Sequence, residues 1–142
     1  MKKEYISSSP FKTRKFAEKF ARQILKQKTL PQAIIVCLCG ELGSGKTTFL
    51  QGFAKGLGVK EKILSPTFII MRKFKNFFHF DCYRIENPKE ILSLGFKEII
   101  ANPKNIVTIE WADKIKKILP KESLIIKFKF INQNTRKIII SE

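Results

Sequence analysis

The chain has 142 residues, 44% of them apolar, which is enough for one domain with its own core and too apolar for a disordered segment. No run reaches the about 18 apolar residues of a membrane span, and the opening Met-Lys-Lys-Glu-Tyr leads into serines and a polar helix, not an apolar signal core; a cytoplasmic protein is therefore expected. A net charge of +16 favours anionic partners, but its lysines are spread along the chain with no dense basic tract, so charge alone does not mark an RNA groove.

Ser8-Ser9-Pro10 offers a helix N-cap followed by proline in the first turn. Phe16, Phe20, Ile24 and Leu25 then recur at helical spacing, which predicts an amphipathic helix over 10–28. Residues 33–39 are continuously apolar and end at Gly40, as in a strand buried on both faces. A loop follows to Lys46, then a helix over 47–57 closed by Gly56 and Gly58. Residues 67–71 and 77–80 read as strands, with Lys75-Asn76 as their turn.

Pro88 opens a further helix that carries Ile91, Leu92 and Leu94 and is interrupted at Gly95. Residues 106–109 form another buried strand, ending at Glu110-Trp111, with a short helix after it to Leu119. Leu124, Ile126, Phe128 and Phe130 alternate with their neighbours, and residues 138–140 complete a second hairpin across Asn132-Gln133-Asn134. No repeat or linker divides the chain, so residues 1–142 are expected to be a single domain. Strands interleaved with helices predict an α/β fold, a P-loop NTPase-like three-layer sandwich whose mixed central sheet is partly antiparallel because of the two hairpins.

Cys37 and Cys39 lie two apart on one face of a predicted strand and cannot easily pair, and Cys82 stands alone. With a single histidine there is no zinc spacing, so free thiols are expected.

The most specific chemistry lies in Gly40-Glu41-Leu42-Gly43-Ser44-Gly45-Lys46-Thr47, which fits G-x-x-x-x-G-K-[ST] between a buried strand and a helix. Glycines let several backbone N–H groups converge on one anion, and the helix start adds its dipole. Lys46 is placed to reach the β- and γ-phosphates of ATP, and the Thr47 hydroxyl suits Mg²⁺, a hard cation. Hydrolysis also needs a carboxylate near the metal and a group that positions water. Glu110, at the end of the 106–109 strand, is the first candidate. Asp81, after the 77–80 strand, is the second, with a structural ion pair to Arg84 as its plainer reading.

Taken together, these residues resemble the TsaE family, the small ATPases of bacterial tRNA threonylcarbamoyladenosine biosynthesis. The resemblance rests on the loop through Thr48-Phe49, then Gly52-Phe53, Leu57-Gly58, Ser65-Pro66-Thr67-Phe68, His79-Phe80-Asp81-Cys82-Tyr83-Arg84, Leu94-Gly95-Phe96 and Glu110-Trp111. It implies that Gly43, Ser44, Gly45, Lys46, Thr47 and Thr48 wrap the phosphates and that Thr47 and Glu110 hold Mg²⁺. It places Thr67 in a switch-like segment near the γ-phosphate, and Asp81 beside the metal and the attacking water. Trp111 is then next to the nucleotide, Arg84 supports the site or a partner contact, and Arg136 is near the base or ribose.

The resemblance also implies a Mg²⁺-dependent ATPase, slow alone, that acts with a TsaB–TsaD heterodimer and meets tRNA only through it. In that assembly TsaD transfers threonylcarbamoyl to adenosine in tRNA, and ATP hydrolysis resets the machine. Met71-Arg72-Lys73, a short 68–80 hairpin, Cys82 and the high basic charge depart from the family pattern, away from the phosphate and metal positions. The main alternative is a small-molecule P-loop kinase. Such kinases carry an arginine-bearing lid, and the five arginines here form no paired lid segment. An RNA-binding module without catalysis would explain the charge and leave the loop and both acids idle.

Overall fold

A computed structural model describes residues 2–27, 31–41, 43–63 and 69–141. Among them are seven strands in a mixed α/β fold: β1 (Lys2–Ser7), β2 (Ile34–Cys39), β3 (Met71–Phe74), β4 (Phe77–Asp81), β5 (Ile106–Glu110), β6 (Leu124–Phe130) and β7 (Arg136–Ser141). The α-helices are α1 (Pro10–Lys26), α2 (Lys46–Gly56), α3 (Lys89–Leu92) and α4 (Phe96–Ala101), with a 3₁₀ stretch at Ala112–Ile118. No described helix is long and apolar enough to cross a membrane. Two compact units divide these elements: Met1–Lys28 with Gly40–Pro66 and Ile126–Ser141, and Thr29–Cys39 with Thr67–Ile125.

The first unit contains α1, α2 and the strand order β1-β7-β6. Helix α1 starts where the sequence indicates: the Ser9 side chain accepts from the Lys12 N–H at 3.1 Å, and Pro10 occupies the first turn. Its buried face differs from the predicted one. Thr13, Ala17, Glu18 and Ala21 are buried, Phe16, Phe20 and Ile24 are half-buried, and Leu25 is 44% exposed. The cause is close approach of α2. A Cβ added at Gly52 would lie 2.2 Å from the Arg14 carbonyl oxygen, and one at Gly56 would lie 2.5 Å from that of Glu18.

Phenylalanines flank this narrow contact. Phe49 meets Phe128 edge-on at 5.3 Å between ring centroids, and Phe16 stacks on Tyr5 at 4.2 Å. Gly56 is therefore a packing residue as well as the last residue of α2, while Gly58, at φ 86°, turns the chain out of the helix.

Strand β1 is absent from the sequence-based expectation. Its Lys-Lys-Glu start carries no apolar alternation, because five of its six residues are not buried and it needs only the backbone of β7 as partner. It pairs antiparallel with β7, Lys2 opposite Ser141 and Ser7 opposite Arg136. Strands β6 and β7 are neighbours joined by the short 131–135 turn, a connection that only an antiparallel hairpin allows.

The second unit has the strand order β2-β5-β4-β3. β5 runs parallel to both β2 and β4, which explains the unbroken apolar run of β2 and the mostly apolar β4, and β3 returns antiparallel to β4 across Lys75-Asn76. β3 begins at Met71, later than predicted; residues 69 and 70 are not strand, and 67 and 68 lie outside the described residues. Ile35, Cys37, Phe80, Val107, Ile109, Ile91, Phe96 and Ile115 form the core. Phe80 and Phe96 meet edge-on at 5.3 Å, and each fully buried ring contributes about 2–3 kcal/mol.

All three cysteines are free thiols. Burial pushes the thiol of Cys37 from 9.0 up to about 12, with Cys39 adding to the shift. Burial first, then the charge of Asp81, does the same to Cys82. The thiolate is the reactive form, so at pH 8 a disulfide reagent should modify one thiol per native chain, the half-buried Cys39, and all three after denaturation. Rapid modification of two or more in the native protein would contradict the packing of Cys37 or Cys82. Because both folded pKa values are raised, this stability is fully present below pH 9 and is lost as pH rises through about 12.

Candidate nucleotide-binding site

In the first unit the loop runs from Gly40 into α2, and its backbone explains its glycines. Gly43 and Gly45 have φ of 78° and 106°, the left-handed region that favours glycine. Gly40 is required by space: a Cβ there would lie 2.6 Å from Ser44 Oγ and 3.0 Å from the Phe128 carbonyl oxygen. Gly45 caps α2 without a side-chain hydrogen bond, and the helical ladder begins with Phe49 N–H to Gly45 O at 3.0 Å. The first turn of an α-helix leaves its N–H groups outside the internal ladder, where an anion is favoured.

Ser44 and Lys46 are only 3% and 6% exposed, and Thr47 and Thr48 are half-buried. The buried Ser44 hydroxyl has no hydrogen-bond partner. A buried hydroxyl without one costs about 1–3 kcal/mol, so its place in the loop suits a ligand that supplies acceptor oxygens. With two left-handed glycines, a helix start and a lysine, the loop fits a phosphate group.

Arg136, the first residue of β7, braces this loop from the same unit. One terminal nitrogen donates to the Gly43 carbonyl at 3.1 Å. The other donates to the carbonyls of Asn132, Thr135 and Gln133 at 2.7, 3.1 and 3.3 Å. Its guanidinium also sits 4.7 Å from the centroid of the Phe130 ring. A cavity of about 40 Å³ lies beside it, lined by Ser9, Thr13, Gly45, Thr48, Asn134 and Arg136 among others.

The second unit holds a second polar group at the ends of β4 and β5. The parallel register sets His79 opposite Thr108 and Asp81 opposite Glu110. Strand alternation puts all four side chains on one face. His79 Nδ1 lies 2.7 Å from Thr108 Oγ1, and Nε2 lies 3.0 Å from Glu110 Oε2. Asp81 accepts from the Tyr83 N–H at 3.0 Å, and the Cys82 N–H donates to the Glu110 carbonyl at 3.0 Å.

Immediately after Glu110, Trp111 has φ 58°, left-handed backbone that a tryptophan seldom adopts and that concentrates at functional sites. Its ring lies 5.1 Å from that of Tyr83. Lys114 Nζ donates to the Tyr83 carbonyl and stands 5.4 Å from the Tyr83 ring centroid.

Each unit therefore gathers one set of the anticipated residues: Gly43, Ser44, Gly45, Lys46, Thr47, Thr48 and Arg136 in the first, Asp81, Glu110 and Trp111 in the second. Arg84 is exposed. Thr67, with its Ser-Pro-Thr-Phe motif, lies outside the described residues. Sequence reasoning assigned no role to His79; being the sole histidine and two residues before Asp81 on a strand was the available signal. Among the described residues no three of His, Cys, Asp and Glu stand together as a metal site of their own.

The family model for threonylcarbamoyl adenosine biosynthesis protein TsaE matches residues 7–138. A protein of Haemophilus influenzae named tRNA threonylcarbamoyladenosine biosynthesis protein TsaE is 35% identical over 131 residues, 89% of this chain and 81% of its own. The protein of the same name from Rickettsia typhi is 35% identical over 134 residues, covering 91% and 88%. The crystal structure of YdiB from Bacillus subtilis superposes with a TM-score of 0.75 at 28% identity, covering 99% of this chain and 84% of that one.

Proposed function

The chain belongs to the TsaE family of threonylcarbamoyl adenosine biosynthesis proteins, and from that premise we propose that it is the ATP-binding and ATP-hydrolysing subunit of the machinery that modifies adenosine in tRNA. The observation that carries the ATP reading is the loop itself, with Gly43 and Gly45 in left-handed backbone around a buried, unpartnered Ser44 hydroxyl. The whole chain, residues 1–142, acts as one ATPase domain in the cytoplasm.

In this reading the backbone of Gly43, Ser44 and Gly45, with Thr48, cradles the phosphates. The ammonium group of Lys46 donates to their oxygens, and Arg136 holds Gly43 in place through its carbonyl. Thr47 and Glu110 offer oxygen ligands to Mg²⁺. When bound, that ion neutralises charge developing on the phosphates. Asp81 orients the attacking water, Thr67 belongs to the segment that senses the γ-phosphate, and Trp111 lies beside the nucleotide. These assignments in the second unit, and that of Thr67, rest on the motif resemblance.

The partner is a TsaB–TsaD heterodimer, and tRNA is met through it. The test is phosphate release from ATP with and without that pair. Slow turnover alone and a rise of at least about tenfold with the pair is the expected outcome, since partner contacts complete many P-loop sites. An unchanged rate together with no binding of the pair would sink the proposal. Transfer of the γ-phosphoryl group to a metabolite instead of water would establish the kinase alternative.

A further inference from the structure

We propose that His79 is a positioning residue: its ring, anchored by Thr108, fixes the orientation of the Glu110 carboxylate for the cation. This deepens the metal reading of Glu110 and rests on it. His79 is the only histidine in the chain and is 4% exposed. It sits between Phe78 and Phe80 on β4, where apolar neighbours would suffice for packing. A buried imidazole carries a desolvation penalty that only full hydrogen bonding offsets, and this ring meets it on both sides, at 2.7 Å to Thr108 Oγ1 and 3.0 Å to Glu110 Oε2.

The chemistry of the partners orders the protons. An ionised carboxylate only accepts, so Nε2 carries the hydrogen and donates it to Glu110. In the neutral ring Nδ1 then accepts, and the Thr108 hydroxyl donates to it. The chain Thr108 to His79 to Glu110 thus runs in one direction and ends on one carboxylate oxygen. A bond to one oxygen sets the plane in which the carboxylate presents its other lone pairs. Groups bonded behind a ligating side chain in this way typically alter metal affinity by about 10- to 100-fold when removed.

Two substitutions separate this role from simple packing. Gln at 79 places an amide N–H near the Nε2 position, while Asn reaches only as far as Nδ1. Binding of ADP is measured by calorimetry across a Mg²⁺ titration and in its absence. His79→Asn should raise the Mg²⁺ concentration at the midpoint by about tenfold or more, with His79→Gln within about threefold of the parent. Metal-free ADP affinity should stay unchanged in both. Equal midpoints for the two variants, or a parallel fall in metal-free binding, would overturn the proposal.

The parent protein gives a second readout that needs no substitution at 79. Its single histidine yields one set of ¹⁵N ring signals, expected to show hydrogen on Nε2 and to move in Glu110→Gln and Thr108→Val. A bare Nε2 would overturn the positioning role while leaving the metal role of Glu110 intact. An Nε2–H ring together with an unmoved Mg²⁺ midpoint in Glu110→Gln would instead overturn the metal role of Glu110.

Discussion

Lys46→Ala should weaken ATP binding by about 100-fold, equivalent to about 3 kcal/mol. An exposed lysine meeting an anion would contribute less than about 1 kcal/mol, because water screens the pair and the side chain must be immobilised. Lys46 differs in both respects. It is the first residue of α2, its side chain is held at 6% exposure, and it follows the left-handed Gly45 at the start of the helix. A charge-assisted hydrogen bond formed there is partly shielded from water and already oriented. Calorimetric titration with a non-hydrolysable ATP analogue checks the result, alongside a thermal melt of the unliganded variant to exclude unfolding. An affinity equal to that of the parent in a folded variant would remove the loop from the mechanism.

Gly52→Ala should destabilise the chain by at least about 3 kcal/mol, the upper part of the overpacking range. Two effects oppose each other. Alanine is the better helix former by up to about 1 kcal/mol in a helix interior. Its methyl group, however, would stand 2.2 Å from the Arg14 carbonyl oxygen and 2.7 Å from the Arg14 Cα. These are backbone atoms, which cannot swing aside as the end of a side chain would. Relief requires the two helices to part and the Phe16, Phe20, Phe49 and Phe53 rings to lose contact. The packing term wins, and a fall in melting temperature of about 10 °C follows for a chain of this size.

Gly58→Ala is the control. Nothing lies within 4 Å of a Cβ there, so only the left-handed φ of 86° is penalised, at about 1 kcal/mol. Equal melting of Gly52→Ala and the parent, read by circular dichroism, would mean that the helices do not meet as described. Because α2 carries Lys46 and Thr47 in its first turn, Gly52→Ala should also loosen nucleotide binding.

The sequence by itself determined the phosphate loop, the family and most of the elements. These signals are carried by each residue's own covalent geometry or by short periods: glycines before Lys46-Thr47, Ser9-Pro10 at a helix start, apolar runs at 34–39 and 106–109 ending at Gly40 and Glu110. Only the tertiary structure decided what pairs across long separations. Strand β1 exists because β7 offers it a backbone edge. The buried face of α1 turned from Leu25 toward Ala17 and Ala21 because Gly52 and Gly56 let α2 come close. Arg136 reaches Gly43 because β7 starts beside the loop. His79 joins Thr108 to Glu110 because the parallel register of β4 and β5 puts them side by side. Spacing along a chain fixes which residues share a face. Which face meets which, and at what register, depends on packing energies summed over many residues at once.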